Sequence, residues 1–140
     1  MTRHQLERPD GTPYRFLLVD DCETILSLVQ TAVEAYGGSV VALARDGMQA
    51  LELYRRLQPD LVICDIILPR LSGIEVLKAI LRMDPSAQVI LCSADGHREM
   101  VRIALGHGAS YFLVKPFLAR DLVKAIQVVL AKGIHRGTGQ

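Results

Sequence analysis

The 140-residue sequence has no tryptophan, 5% aromatic residues and three cysteines, and its formal net charge is +1 from 16 basic and 15 acidic side chains. Each shortage excludes something. With so few aromatics, the core must be aliphatic. The even charge balance offers neither the basic footprint of a nucleic-acid binder nor a polybasic attraction to a membrane surface. Cys22, Cys64 and Cys92 are odd in number and show no CxxC spacing, which argues against a disulfide framework or a zinc site. No apolar run approaches the roughly 20 residues that a membrane span needs. The opening MTRHQLERPDGTP lacks the apolar stretch of a secretory signal. The cytoplasm is therefore the default compartment. His4, His97, His107 and His135 show no ligand spacing and are expected at the surface.

What is present is the composition of one globular domain: half the residues are hydrophobic, on a chain long enough for a single core. Residues 1–13, punctuated by Pro9-Asp10-Gly11 and Pro13, read as a flexible lead-in, and 132–140 as a frayed tail. Between them, strand-length apolar runs occur at YRFLLV (14–19), SVVAL (39–43), LVICD (61–65), QVILC (88–92) and YFLV (111–114). The intervals have helical spacing. Ile25, Leu28, Val29, Ala32, Val33 and Tyr36 recur on one face before Gly37-Gly38, and Asp46 caps a second helix that ends before Pro59. Three more helices are predicted over 73–82, 97–105 and about 118–131. Five β/α units with near-continuous apolar strands imply a doubly wound α/β fold, a parallel sheet covered by helices on both faces. The flavodoxin-like strand order 2-1-3-4-5 is the common solution. No repeat and no second domain is read over 14–131.

The stretch FLLVDDCE (16–23) places two like charges, Asp20 and Asp21, where a buried strand ends. Their repulsion costs energy unless something positive sits nearby. Asp20 with Glu23 fits a capping box, but a cap needs one Asp, and the other is left over. In the 2-1-3-4-5 order, strands 1 and 3 are neighbours at the switch point, where ligands bind outside the carboxyl ends. Strand 3 ends in Asp65, strand 4 leads to Ser93 and strand 5 to Lys115. Strand 2 delivers nothing obvious. Three carboxylates and one ammonium leave about −2, which a divalent cation would cancel. Oxygen-only ligands favour Mg²⁺.

LLVDD, CDIILPRLSG, LCSAD and YFLVKPF, in that order on the strand ends, resemble the response-regulator receiver domain of two-component and phosphorelay signalling, over about residues 14–131. The resemblance implies that Asp65 is the phosphoacceptor, phosphorylated from the phosphohistidine of a sensor histidine kinase or phosphotransfer protein. It implies Mg²⁺ held by Asp21, Asp65 and the backbone carbonyl of Ile67, with Asp20 acting through water. Lys115 would offer a fixed charge, aimed by a cis Lys115-Pro116 peptide. Ser93 would be the switch hydroxyl and Phe112 the switch aromatic, carrying the signal to a protein partner at the face of helix 4, strand 5 and helix 5. No direct nucleic-acid or membrane partner is implied. The chain would catalyse its own phosphorylation and slow dephosphorylation rather than act as an ordinary enzyme.

Plainer roles stand beside these. Ser93 can bond the next helix turn, Pro116 can open the last helix at its first position, and Phe112 can be ordinary core. Ile67 stands where many receivers carry a polar side chain, so an apolar branched residue there should obstruct the hydrolytic water; Asp95 either opposes that effect or caps helix 4. Small buried cysteines in an aliphatic sheet are expected in preference to a redox or soft-metal role. An aspartate-nucleophile phosphohydrolase would want an acid at position 67, and a flavin binder a phosphate-cradling loop where DDCET stands. A receiver-like module that acts without phosphate is the remaining alternative. No DNA-binding or catalytic domain is read after residue 131, which leaves a stand-alone receiver or a piece of a longer chain. Arg98, Arg102 and Lys124 fit either an output face or a solvated helix surface.

Overall fold

The computed structural model describes residues 4–138, with side chains through residue 132. The apolar runs become β1 (Arg15–Val19), β2 (Ser39–Ala44), β3 (Leu61–Asp65), β4 (Val89–Ser93) and β5 (Tyr111–Val114). Between and after them lie α1 (Glu23–Ala35), α2 (Gly47–Leu57), α3 (Gly73–Met83), α4 (Arg98–Gly106) and α5 (Ala119–Thr138). All strand pairs are parallel, in the order β2-β1-β3-β4-β5. This is the doubly wound, flavodoxin-like arrangement that the alternating units imply.

Every residue of β3 and β4 is buried, because both faces of the central sheet are covered. Side-chain alternation divides the core in two. Phe16, Leu18, Ile63 and Ile90 face α1 and α5, whereas Leu17, Val19, Val62 and Leu91 face the helices of the other side. Burial of each such Leu or Ile stabilises the fold by about 2 kcal/mol. Among the described residues no helix is long and apolar enough to cross a membrane.

Helix starts follow local hydrogen bonding. Asp46 caps α2 by accepting the Gln49 N–H at 2.8 Å, and Ser72 with Glu75 forms a reciprocal capping box on α3. The capping box expected from Asp20 and Glu23 does not form. The N-cap of α1 is Cys22, which makes no side-chain cap bond. Asp20 lies two residues before that N-cap, and its Oδ1 accepts the Cys22 N–H at 2.9 Å instead.

Both chain ends depart from expectation. Residues 4–13 are a folded hairpin rather than a flexible lead-in. Leu6 is completely buried; its N–H donates to the Tyr36 carbonyl at 2.9 Å and its carbonyl accepts the Tyr14 N–H at 3.1 Å. Arg8 pairs with Asp60, lies 5.0 Å from the centre of the Tyr14 ring, and donates to the Pro13 carbonyl. One apolar side chain anchors an otherwise polar segment. At the other end, α5 continues through Thr138, past the expected stop near 131. Residues 1–3 of the expected lead-in and 139–140 of the expected tail lie outside the described residues. His4, His97 and His107 are exposed as expected, while the His135 side chain lies outside the described ones.

Leu6→Ala should lower unfolding stability by about 2–4 kcal/mol, as for other fully buried leucines. Equilibrium urea denaturation of the two proteins checks this, and an unchanged midpoint would show that the hairpin is not anchored to the core.

Candidate functional site

Parallel β1 and β3 end side by side, and the residues that follow them meet above the sheet. Asp20 stands directly after β1, its N–H donating to the Ala44 carbonyl at 3.0 Å. Asp65 closes β3. Both are buried, at 5% and 8% exposure, whereas the neighbouring Asp21 is exposed. One carboxylate oxygen from each of Asp20, Asp21 and Asp65 lies within 4.8 Å of the other two. The adjacent acids therefore do different things. One turns into the core and the other faces solvent, and both reach the same pocket as Asp65.

Lys115, after β5, reaches this cluster across the strand ends. Its Nζ donates to Asp20 Oδ2 at 2.7 Å and lies 3.2 Å from Asp65 Oδ2. The ammonium thus bridges two acids and sits closer to Asp20. The Lys115-Pro116 peptide is cis, and the Lys115 N–H donates to the Ser93 carbonyl at 2.9 Å. Burial acts to lower the Lys115 pKa, but the Asp20 hydrogen bond and the charges of Asp65 and Asp20 outweigh it and raise the value. Burial raises the Asp65 pKa; the Asp20 charge adds to the rise, and Lys115 with the Ile67 backbone N–H opposes it without cancelling it. The pocket holds more negative charge than one ammonium can balance.

Ser93, 2% exposed, uses its hydroxyl oxygen to accept the Asp95 N–H at 3.0 Å. Because the oxygen is the acceptor, its own proton remains free to donate elsewhere. Asp95 accepts the His97 N–H at 3.1 Å and contacts His97 Nδ1 at 2.5 Å; the side-chain bond to His97 holds its carboxyl below the usual range. Asp95 therefore fastens the residue that starts α4, while the helix N-cap, His97, makes no side-chain cap. Phe112 is half-buried and packs on the α2–α3 side of the core, opposite Leu91 in register. Ile67 is 70% exposed.

The cysteines divide. Cys64 and Cys92 are buried as expected, and burial pushes the Cys64 thiol well up and Cys92 to about 12. Cys22 is exposed.

Two contributors escaped the sequence reading. A Cβ on Gly73 would lie 2.3 Å from the Asp65 carbonyl oxygen, and the Gly73 N–H donates to the Ile66 carbonyl at 2.7 Å. Only glycine lets α3 start so close to the Asp65 backbone. The end of β2 is not idle either: Arg45 Nη2 donates to the Asp21 carbonyl at 3.0 Å. A basic residue directly after an edge strand was the available signal.

The fold and pocket together define a flavodoxin-like α/β protein with an acidic site at its topological switch point. Residues 16–127 match the response regulator receiver domain, and the chain belongs to that family of two-component signalling proteins. It is 41% identical over 117 residues to the chemotaxis protein CheY of Bacillus subtilis, covering 84% of this chain and 98% of that one. Against CheY of Thermotoga maritima it is 38% identical over 115 residues, covering 82% and 96%. In structure it resembles the CheX-CheY-BeF3-Mg complex of Borrelia burgdorferi, with a TM-score of 0.89, 29% identity and coverage of 91% and 98%.

The sign of the Asp65 shift yields a stability prediction. A carboxyl whose folded pKa is raised destabilises the fold when ionised, and that penalty vanishes as pH falls below its unfolded value. Asp65→Asn should therefore raise the melting temperature at neutral pH in a chelating buffer. The gain should shrink in acid. Calorimetric melting from neutral to acid pH checks both parts, and a lower melting temperature at neutral pH would contradict the assigned balance of charge.

Proposed function

We propose that the chain is a phospho-accepting receiver in which Asp65 takes a phosphoryl group from the phosphohistidine of a sensor histidine kinase or phosphotransfer protein. The observation that carries this is the convergence of three carboxylates within 4.8 Å beneath a bridging Lys115. An Asp65 oxygen attacks phosphorus, a new O–P bond forms, and the P–N bond to the donor imidazole breaks with its electron pair leaving on nitrogen. The donor histidine returns to its neutral form after proton uptake.

The donor set fits a hard divalent cation. Every candidate ligand is an oxygen, the cluster retains excess negative charge, and exposed Asp21 leaves room for bound water. Asp21, Asp65 and the Ile67 carbonyl would hold Mg²⁺ directly, with Asp20 acting through water. When bound, Mg²⁺ supplies neutralisation of the phosphoryl oxygens and alignment of the transfer. The Borrelia burgdorferi CheX-CheY complex, which contains BeF3 and Mg, supports the choice of Mg²⁺ as the cation.

The remaining steps belong to side chains. Lys115 pairs with the Asp65 carboxylate before transfer and with the phosphoryl group after it. The free proton of the Ser93 hydroxyl is available to a phosphoryl oxygen, which would draw Ser93 and the loop bonded to it toward Asp65. Phe112 would then repack toward the vacated space. Ile103 and Leu105 on α4 and Val114 on β5 expose apolar surface, at 39%, 47% and 46%, which suits a protein partner at the α4–β5–α5 face. Ile67 stands beside the acceptor as an apolar branched group and should slow entry of the hydrolytic water; Asp95 is held by His97 rather than free to activate it.

Incubation with Mg²⁺ and acetyl phosphate should add one phosphoryl group to the wild type and none to Asp65→Asn, as read by intact mass, and a chelator should abolish the addition. An adduct that survives Asp65→Asn would move the acceptor to another residue, and absence of both adduct and released phosphate would replace this reading with a phosphate-independent binding module. Ile67→Asn should shorten the adduct's lifetime several-fold in the same assay. Equal decay of the two proteins would remove Ile67 from the control of hydrolysis.

A further inference from the structure

The turn after β2, residues 45–47, touches both loops that carry the acids. Toward β1, Arg45 Nη2 donates to the Asp21 carbonyl at 3.0 Å, while the Arg45 N–H is fixed by Gln49 Oε1 at 2.8 Å. Toward β3, Arg70 Nη2 lies 2.8 and 2.9 Å from the two Asp46 oxygens, and the Gly47 N–H donates to the Pro69 carbonyl at 3.3 Å. Contact there is tight: a Cβ on Gly47 would lie 2.6 Å from the Leu71 carbonyl oxygen. Arg70 has φ +70°, a backbone conformation that non-glycine residues seldom adopt unless something holds them. Pro69 and Arg70 sit in the same connection as Ile67, between Asp65 and α3.

We propose that Arg45, Asp46 and Gly47, with Arg70, form a brace that fixes the β1–α1 loop against the β3–α3 loop and so sets the divalent-cation affinity of the pocket. The inference rests on the reading of that pocket as a Mg²⁺ site. Three carboxylates without a cation repel one another, and Lys115 opposes the repulsion only at Asp20 and Asp65. Asp21, the exposed member, has its own carbonyl tied to β2 through Arg45. The brace thus holds the ligand loops at binding separation before the ion arrives, and the ion need not gather them. Arg45 and Arg70 are positioning residues; neither side chain bonds a carboxylate of the pocket.

The test is calorimetric titration of the chelator-stripped full chain with MgCl₂. Arg70→Gly keeps the positive φ accessible and removes the ion pair. Asp46→Asn keeps the α2 cap and weakens the pair. Loss of an outer partner typically weakens a metal site by 10–100-fold; with both arginines exposed, the lower end, about tenfold in Kd, is expected for each variant. The double variant should be no weaker than the weaker single, since both remove one contact. Arg45→Met should weaken binding and Arg45→Lys should restore most of it. Melting of the chelated proteins separates positioning from general stability: the brace moves Kd by more than melting explains. Unchanged Kd in all variants, or additive losses that track a falling melting temperature, would overturn the brace while leaving the metal site standing. Absence of Mg²⁺ binding by the wild type would overturn both.

Discussion

The ammonium of Lys115, shared between Asp20 and Asp65, is the contact on which the site depends. Two nearly buried carboxylates on adjacent strands could not face one another in a core of this kind without a cation between them. The ion pair brings the end of β5 across to the ends of β1 and β3, and through the Lys115 N–H it also fastens to the end of β4. One residue, through its side chain and its main chain, therefore ties the carboxyl ends of four strands together. It does so incompletely, because burial still raises the Asp65 pKa. Three carboxylates against one ammonium also leave excess negative charge in the pocket, which suits the cation and the chemistry proposed for it.

The rest of the fold supplies rigidity where this contact needs it. β3 and β4, buried along their whole length, carry Asp65 and Ser93 on the stiffest part of the sheet. Gly73 brings the start of α3 against the Asp65 backbone, so Asp65 is fixed by main chain as well as by its ion pair. Ala94, Asp95 and Gly96, between β4 and α4, lie at the other limit. They belong to a loop held by a few local hydrogen bonds, and a loop of that kind can rearrange without disturbing the core.

Much of this was legible in the residue order. LVICD and YFLV have the bounds read from their apolar content, and the acids, Ser93 and Lys115 meet at the carboxyl edge because alternating β/α units leave few ways to wind the chain. What escaped had a common cause. Leu6 is a single apolar residue in a polar segment, too little for any periodicity, yet main-chain bonds to Tyr36 and Tyr14 bury it. The continuation of α5 through KGIHRGT runs against its two glycines, whose poor helix propensity predicts a stop. Asp20 matches a cap by spacing, but Lys115, 95 positions away, claims its carboxylate. Arg45 and Arg70 gain meaning only when two loops distant in sequence become neighbours. Local pattern describes elements well; which long-range partner a polar side chain finds is decided by packing.

The exposure of Cys22 gives the protein an uncommon spectroscopic property. With no tryptophan, the chain has no strong native fluorophore to report on its own pocket. Cys64 and Cys92 are shielded by the sheet and by raised thiol pKa values, so an alkylating dye at neutral pH finds a single address. That address follows Asp21 directly, and its backbone N–H bonds Asp20. A probe attached there sits at the rim of the acidic cluster without any engineered residue, and its emission would follow occupancy of the pocket in real time.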